Sequence, residues 1–157
     1  MSDAHDFGLS LEQIDDYEFR IRFDGTALPE LTTDESAPLG HDAGPNPARL
    51  LLAATTNCLT ASLLFALRKF RNTPAPLRAT ARANIARNER GRWRVADMQV
   101  DLQLADPAGS LHDLERVLAQ FEDFCIVTES VRAGVPVTVR VHDDGGRQLH
   151  VSTQTGG

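Results

Sequence analysis

Between Leu50 and Leu67 the chain runs for 18 residues without a charge (LLLAATTNCLTASLLFAL), with Arg49 before it and Arg68, Lys69 and Arg71 after it. No other stretch constrains the fold as strongly. Asn46 followed by Pro47 is a helix start, because the amide side chain can cap and a proline at the first helical position gives up only an N–H that would have no partner there. With no glycine or proline until Pro74, the helix is expected to reach Arg71, roughly 35 Å at 1.5 Å per residue. Its middle is apolar or small on every side. Such a helix must be covered all round, and in a domain of this size a sheet covers only one face, so a second subunit is expected on the other. Length alone would admit a membrane span. Thr55, Thr56, Asn57, Thr60 and Ser62 interrupt the run, however, and its flanks read as globular strands and helices, so no membrane is expected.

The remaining chain divides by periodicity. Tyr17 to Phe23 alternates apolar and charged residues, which predicts a strand, and Asp24-Gly25 a turn. A weaker strand is expected over Thr26 to Thr33, then an ordered loop over Asp34 to Pro47. Leu77 to Arg87 and Arg92 to Leu104 read as a hairpin around Asn88-Glu-Arg-Gly91, with a bulge near Ala96-Asp97 where the alternation changes phase. Ser110-Leu-His-Asp113 resembles a capping box opening a helix through Leu114, Val117, Leu118 and Phe121. A short helical turn after Cys125 should end by Gly134, and Val135 to Val141 is the last expected strand. Residues 145–157 read as a frayed tail. Strands, long helix, hairpin, helix and strand make an α+β fold in one domain over residues 1–157, its ordered core over 17–142.

Charge and composition exclude several functions. The chain has 157 residues and a net charge of -6, but residues 49–104 hold ten bases and three acids. The basic hairpin (Arg78, Arg82, Arg87, Arg90, Arg92, Arg94) lacks aromatic interleaving beyond Trp93, so it is expected to complement the acidic N-terminal segment rather than bind nucleic acid. The acidic N-terminus does not read as a secretory signal, which makes the cytoplasm the expected compartment. His5, His41, His112, His142 and His150 fall at no metal-ligand spacing, so no metal is expected. Ser62 and Ser130 lack a nucleophile-elbow context, and Gly44-Pro-Asn-Pro offers too few N–H groups to cradle a phosphate.

The two cysteines, Cys58 and Cys125, are too few for a disulfide scaffold or a four-thiolate zinc site. They are either buried filler or paired chemistry. Ala54, Thr55, Ala61 and Ser62 share the helix face of Cys58. Leucine and phenylalanine would fill a core better than this stripe, whereas small hydroxyl side chains leave room and hydrogen-bonding groups beside a reactive sulfur; Thr55 and Ser62 are the expected pocket lining. Cys125 lies among carboxylates (Glu122, Asp123, Glu129) at the expected end of a helix, where a thiolate is disfavoured. Cys58 is therefore the better nucleophile, provided that a cation from elsewhere lowers its pKa. This division suits peroxide reduction: a thiolate attacks the O–O bond, becomes a sulfenic acid and condenses with the second thiol.

Gly44-Pro-Asn-Pro-Ala-Arg-Leu-Leu-Leu-Ala-Ala-Thr-Thr-Asn-Cys58 resembles the Gly-Pro-x-Pro-x-x-Leu-Leu-x-Ala-x-x-x-x-Cys helix entry of the OsmC/Ohr family, the osmotically induced and organic hydroperoxide resistance proteins. Phe124-Cys-Ile-Val-Thr-Glu-Ser-Val-Arg-Ala-Gly-Val-Pro-Val137 is similar to that family's second cysteine motif. The resemblance spans residues 17–142. It implies an OsmC-like fold, an antiparallel sheet packed on a long central helix in an intertwined homodimer with sites at the subunit interface. It also implies a thiol-dependent peroxidase acting on organic hydroperoxides in oxidative stress defence, with Cys58 peroxidatic, Cys125 resolving, a thiol reductant, no metal and no cofactor. Active members carry a glutamate ten residues before the first cysteine, and here that position is Ala48. They also carry an arginine in the N-terminal half, whereas this chain has none between Arg22 and Arg49. Arg20, Arg22 and Arg49 are left as the candidates for stabilising a thiolate. The alternative is a catalytically weak or inactive member that binds a small apolar ligand at the dimer interface.

Overall fold

The computed structural model describes residues 5–134 and 137–154. Contacts gather into two compact units, Met1–Leu50 and Leu51–Gly157.

The first unit holds a three-stranded antiparallel sheet in the order β1-β2-β3, with β1 at Leu9–Asp15, β2 at Glu18–Phe23 and β3 at Leu31–Thr33. The strand expected at Tyr17 to Phe23 is β2, in which Ile21 is the buried residue. Two expectations need correction. Ordered structure begins before residue 17, because β1 pairs with β2 from Leu9↔Phe23 to Asp15↔Glu18. Every residue of β1 is exposed, so no buried face marks it in the sequence, and it is held by the backbone ladder with an ion pair from Arg22 to Glu12. The strand expected over Thr26 to Thr33 shrinks to Leu31–Thr33, since Pro29 has no N–H for a ladder.

The loop that follows is ordered around one carboxylate. Asp34 is buried and accepts the N–H groups of Glu35 at 2.7 Å, His41 at 2.8 Å and Ala43 at 3.1 Å. The bond from His41 leads in holding its carboxyl below the usual range, against the opposing effect of burial, and those from Ala43 and Glu35 assist. Two glycines permit the close approach: a Cβ on Gly40 would lie 2.2 Å from Asp34 Oδ1, and one on Gly44 would lie 2.1 Å from the Thr32 carbonyl oxygen. The loop delivers Asn46, whose Oδ1 accepts the Arg49 N–H at 2.9 Å, and Pro47 opens α1 (Pro47–Lys69) as expected. The helix stops at Lys69 rather than Arg71. Arg71 takes a left-handed φ of 62°, and the N–H groups of Arg71 and Asn72 close on the carbonyls of Arg68 and Leu67. The buried Asn72 side chain also exchanges hydrogen bonds with the backbone of His112, at 3.0 and 2.7 Å, which tethers the end of α1 to the segment around that residue.

In the second unit a four-stranded sheet runs β4-β5-β6-β7: Arg78–Arg87, Trp93–Gln103, Val137–His142 and Gln148–Gln154. The hairpin β4-β5 carries the expected bulge, since Asn84 faces Asp97 and Ile85 faces Val95, leaving Ala96 as the extra residue. The α+β class holds, and the sheet is mixed rather than wholly antiparallel: β5 and β6 pair in parallel, because a long helical crossover joins them. That crossover contains α2 (Leu114–Gln120), the 3-10 turn Phe121–Phe124 and α3 (Ile126–Arg132). Ser110 does not cap α2; its hydroxyl donates to the Pro107 carbonyl, and Asp113 at φ 52° occupies the position before the helix. The expected start of the last strand, Val135-Pro136, lies outside the described residues. The tail expected to fray from 145 instead forms β7, paired with β6 from Val137↔Gln154 to His142↔Gln148. Its alternation, in which His150 and Ser152 occupy inner positions, hides it from a hydrophobic pattern.

Among the described residues one helix, α1, is long and apolar enough to cross a membrane. Here Leu59, Leu63 and Leu67 on one stripe of it join Val100 and Leu102 of β5, Val139 and Val141 of β6, and Val117 and Phe121 in a fully buried core. Phe65, on another face of the same helix, is 55% exposed. Leu63→Ala is expected to destabilise the fold by about 2–5 kcal/mol through lost transfer energy and a residual cavity. Arg90→Ala, on the exposed hairpin, should stay within about 0.5 kcal/mol; denaturant unfolding compares the two.

Candidate two-thiol site

Cys58 occupies the middle of α1 and is half-buried, whereas Cys125 is fully buried, and both are free thiols. Cys58 packs against the core cluster to which Cys125 belongs. Cys125 is not at a helix C-terminus, as the sequence suggests. The helical run breaks at it, with extended φ and ψ of -87° and 92°, and it becomes the capping residue of α3. Its backbone N–H donates to the Glu122 carbonyl at 2.9 Å. Its sulfur lies 2.8 Å from the Thr128 hydroxyl and accepts the Thr128 N–H at 3.4 Å. Burial pushes the Cys125 thiol up and the adjacent Cys58 pushes it further; the two bonds with Thr128 oppose this without reversing it. Cys125 is thus a protonated thiol at neutral pH, facing a second, more accessible sulfur. Such a pair can form a disulfide once the accessible sulfur is oxidised.

An aromatic contact joins the two sulfur-bearing segments. Phe65, two turns beyond Cys58, meets Phe124 edge-on with ring centroids 5.1 Å apart, and Lys69 Nζ lies 4.9 Å from the Phe124 centroid. Thr55 and Ser62 are both buried beside the Cys58 turn. The Thr55 hydroxyl donates to the Leu51 carbonyl at 2.9 Å, as Thr56 does to Leu52 and Thr60 to Thr56. These threonines therefore spend their donors on the helix itself.

The three candidate arginines all have carboxylate partners within the first unit. Arg20 pairs with Glu30 at 3.0 Å, and Arg22 with Glu30 at 2.6 Å and Glu12 at 3.3 Å. The hydrogen bond to Glu30 leads in raising the Arg22 pKa. Arg49, in the first turn of α1, reaches Asp42 at 3.6 Å and Ser36 at 3.4 Å. Among the described residues, no group of three or more His, Cys, Asp or Glu side chains is arranged to hold a metal.

Residues 40–140 match the family model described as OsmC-like protein. The chain belongs to the OsmC-like protein family. Among solved structures it is similar to an OsmC-like protein from Vibrio cholerae, at 16% identity over 88% of this chain and 99% of that one, with a TM-score of 0.73. It is also similar to an organic hydroperoxide resistance protein from Elizabethkingia anophelis, at 16% identity over 91% and 99%, TM-score 0.71. A third is an organic hydroperoxide resistance protein OsmC from Legionella pneumophila, at 13% identity over 87% and 96%, TM-score 0.67. At these identities the likeness shows a shared fold. Among curated proteins there is no sequence match.

This OsmC-like chain also carries a polar cluster that its sequence does not reveal. Glu122 accepts hydrogen bonds from Arg132, from His150 and, at 2.8 Å, from Ser152. Arg132 also reaches Glu129 at 2.6 Å and Ser152 at 3.0 Å. Only the Glu129 and Arg132 pair has a helical spacing readable in sequence; the others meet because β7 exists. Burial alone would raise the Glu122 carboxyl, but the bonds from His150, Arg132 and Ser152 outweigh it and hold it down at about 2. A depressed carboxyl contributes stability above its unfolded pKa of about 4.3 and loses it as pH falls through the folded value. The stability gap between wild type and Glu122→Gln should therefore be widest at neutral pH and close as pH falls from about 4.3 towards 2. Thermal melts across that range check it, and a constant gap would contradict it.

Proposed function

We propose that this OsmC-like protein is a thiol-dependent peroxidase that reduces hydroperoxides, organic ones by preference, in the cytoplasm. The observation that carries the reading is a half-buried thiol on α1 next to a buried, protonated one. The Cys58 thiolate attacks the O–O bond of the hydroperoxide; sulfur gives up two electrons, Cys58 becomes a sulfenic acid, and the displaced alkoxide is protonated to an alcohol. Cys125 then condenses with the sulfenic acid: an S–S bond forms, the S–O bond breaks and water leaves. A small dithiol or a protein thiol reduces the disulfide, and no bound cofactor takes part. Exposed Phe65, Phe124 and Ile126 near the pair supply apolar surface for an organic substrate. Exposed Phe65 on α1, with exposed Leu9, Leu11 and Tyr17, supports a homodimer. One of Arg20, Arg22 and Arg49 is assigned to steady the thiolate.

The test is purified protein with cumene hydroperoxide and dithiothreitol. Cys58→Ser should abolish peroxide loss. Without reductant, Cys125→Ser should consume about one equivalent and accumulate a sulfenic acid that dimedone traps. Peroxide loss unchanged in Cys58→Ser would overturn the assignment.

Ala48, standing where active members carry glutamate, favours a second reading: a non-catalytic member holding a small apolar ligand at a dimer interface. Native mass spectrometry that finds a retained ligand, together with no dithiol-dependent turnover, would select it.

A further inference from the structure

The residues on either side of Cys125 are bound to each other across it. Glu122 receives the Cys125 N–H at its carbonyl, at 2.9 Å. Arg132 is the last residue of the helix that Cys125 caps. Their side chains pair directly, and Ser152 of β7 bonds to both, at 2.8 and 3.0 Å. The segment from Glu122 to Arg132 is therefore a closed loop with the thiol inside it, fastened to β7 at both ends. The Arg132 side chain is 4% exposed, and its Nε is buried without a hydrogen-bond partner among the described residues. Methionine or leucine would fill the same space without stranding a donor. Replacing both members of a buried ion pair by apolar residues is often neutral for stability, whereas removing one leaves the other charge buried and unpaired, so what this pair supplies is a fixed geometry.

We propose that Arg132 is a positioning residue for Cys125: clamped to Glu122 and Ser152, it fixes the backbone on both sides of the buried thiol so that the sulfur faces an oxidised Cys58. The role rests on the reading of Cys125 as the resolving thiol. It acts on the condensation step, in which the Cys125 S–H and the Cys58 S–OH give a disulfide and water, and not on the attack on the O–O bond.

The experiment gives the full chain one equivalent of cumene hydroperoxide in the presence of dimedone. Mass spectrometry then reads the ratio of Cys58 adduct to Cys58–Cys125 disulfide. Arg132→Met is expected to raise that ratio about tenfold or more, with the first-turnover rate of peroxide loss unchanged and with partial rescue in Arg132→Lys. A loss of packing alone would not shift this partition. If circular dichroism shows Arg132→Met unfolded, Ser152→Ala, which frees the clamp from β7, carries the test with a severalfold rise. An unchanged ratio in the folded variants overturns the proposal. Diamide, which joins thiols without peroxide, separates the two readings. Wild type inert to hydroperoxide but about tenfold faster than Arg132→Met in diamide-driven disulfide formation would overturn the peroxidase reading and uphold the clamp. Equal diamide rates would overturn the clamp.

Discussion

Removing one stripe of α1 from water is the contact on which the second unit is organised. Leu59, Leu63 and Leu67 enter the same buried cluster as the inner residues of β5 and β6 and as Phe121. Because Phe121 opens the turn that leads to Cys125, the packing that buries the helix also fixes where the second sulfur lies. Cys58 lies on the helix turn just before Leu59 and so at the margin of that cluster, which leaves it half-buried while Cys125 is buried completely. A difference in exposure between two otherwise similar thiols is thus a direct product of hydrophobic burial.

The electrostatics build on that difference. Burial raises the Cys125 pKa, which keeps its proton on at neutral pH. The same burial would be costly for Glu122 and Arg132 were they not paired with each other and with β7. Polar groups inside this region are thus arranged so that an ion pair and a neutral thiol lie on one short segment without a free buried carboxylate. The protein keeps the charge on residues flanking the sulfur and away from the sulfur itself.

Much of this was legible in the residues. Period-two runs marked β2, β4 and β5, and the phase change at Ala96 marked the bulge, because alternation maps directly onto the faces of a strand. Asn46 and Pro47 marked the start of α1 through the unpaired N–H groups of a first turn. Two motifs around Cys58 and Cys125 carried the family resemblance. Less visible were β1, which has no buried face, and β7, whose inner positions include His150 and Ser152 and so lack an apolar alternation. The reading of Cys125 as the end of a helix failed for a related reason: a break at one extended residue inside a helical run has no hydrophobic signature.

The sequence by itself determined the long apolar helix, the α+β class and the unlike settings of the two cysteines, because periodicity, capping and charge act over a few neighbouring residues. Only the tertiary structure decided that the two thiols are neighbours, that Thr128 holds the Cys125 sulfur and that Glu122, Arg132, His150 and Ser152 converge. The approach of the two thiols and the convergence of His150 and Ser152 on Glu122 join residues far apart in the chain. They depend on the parallel pairing of β5 with β6 and on β7 closing the sheet, and no local pattern encodes either.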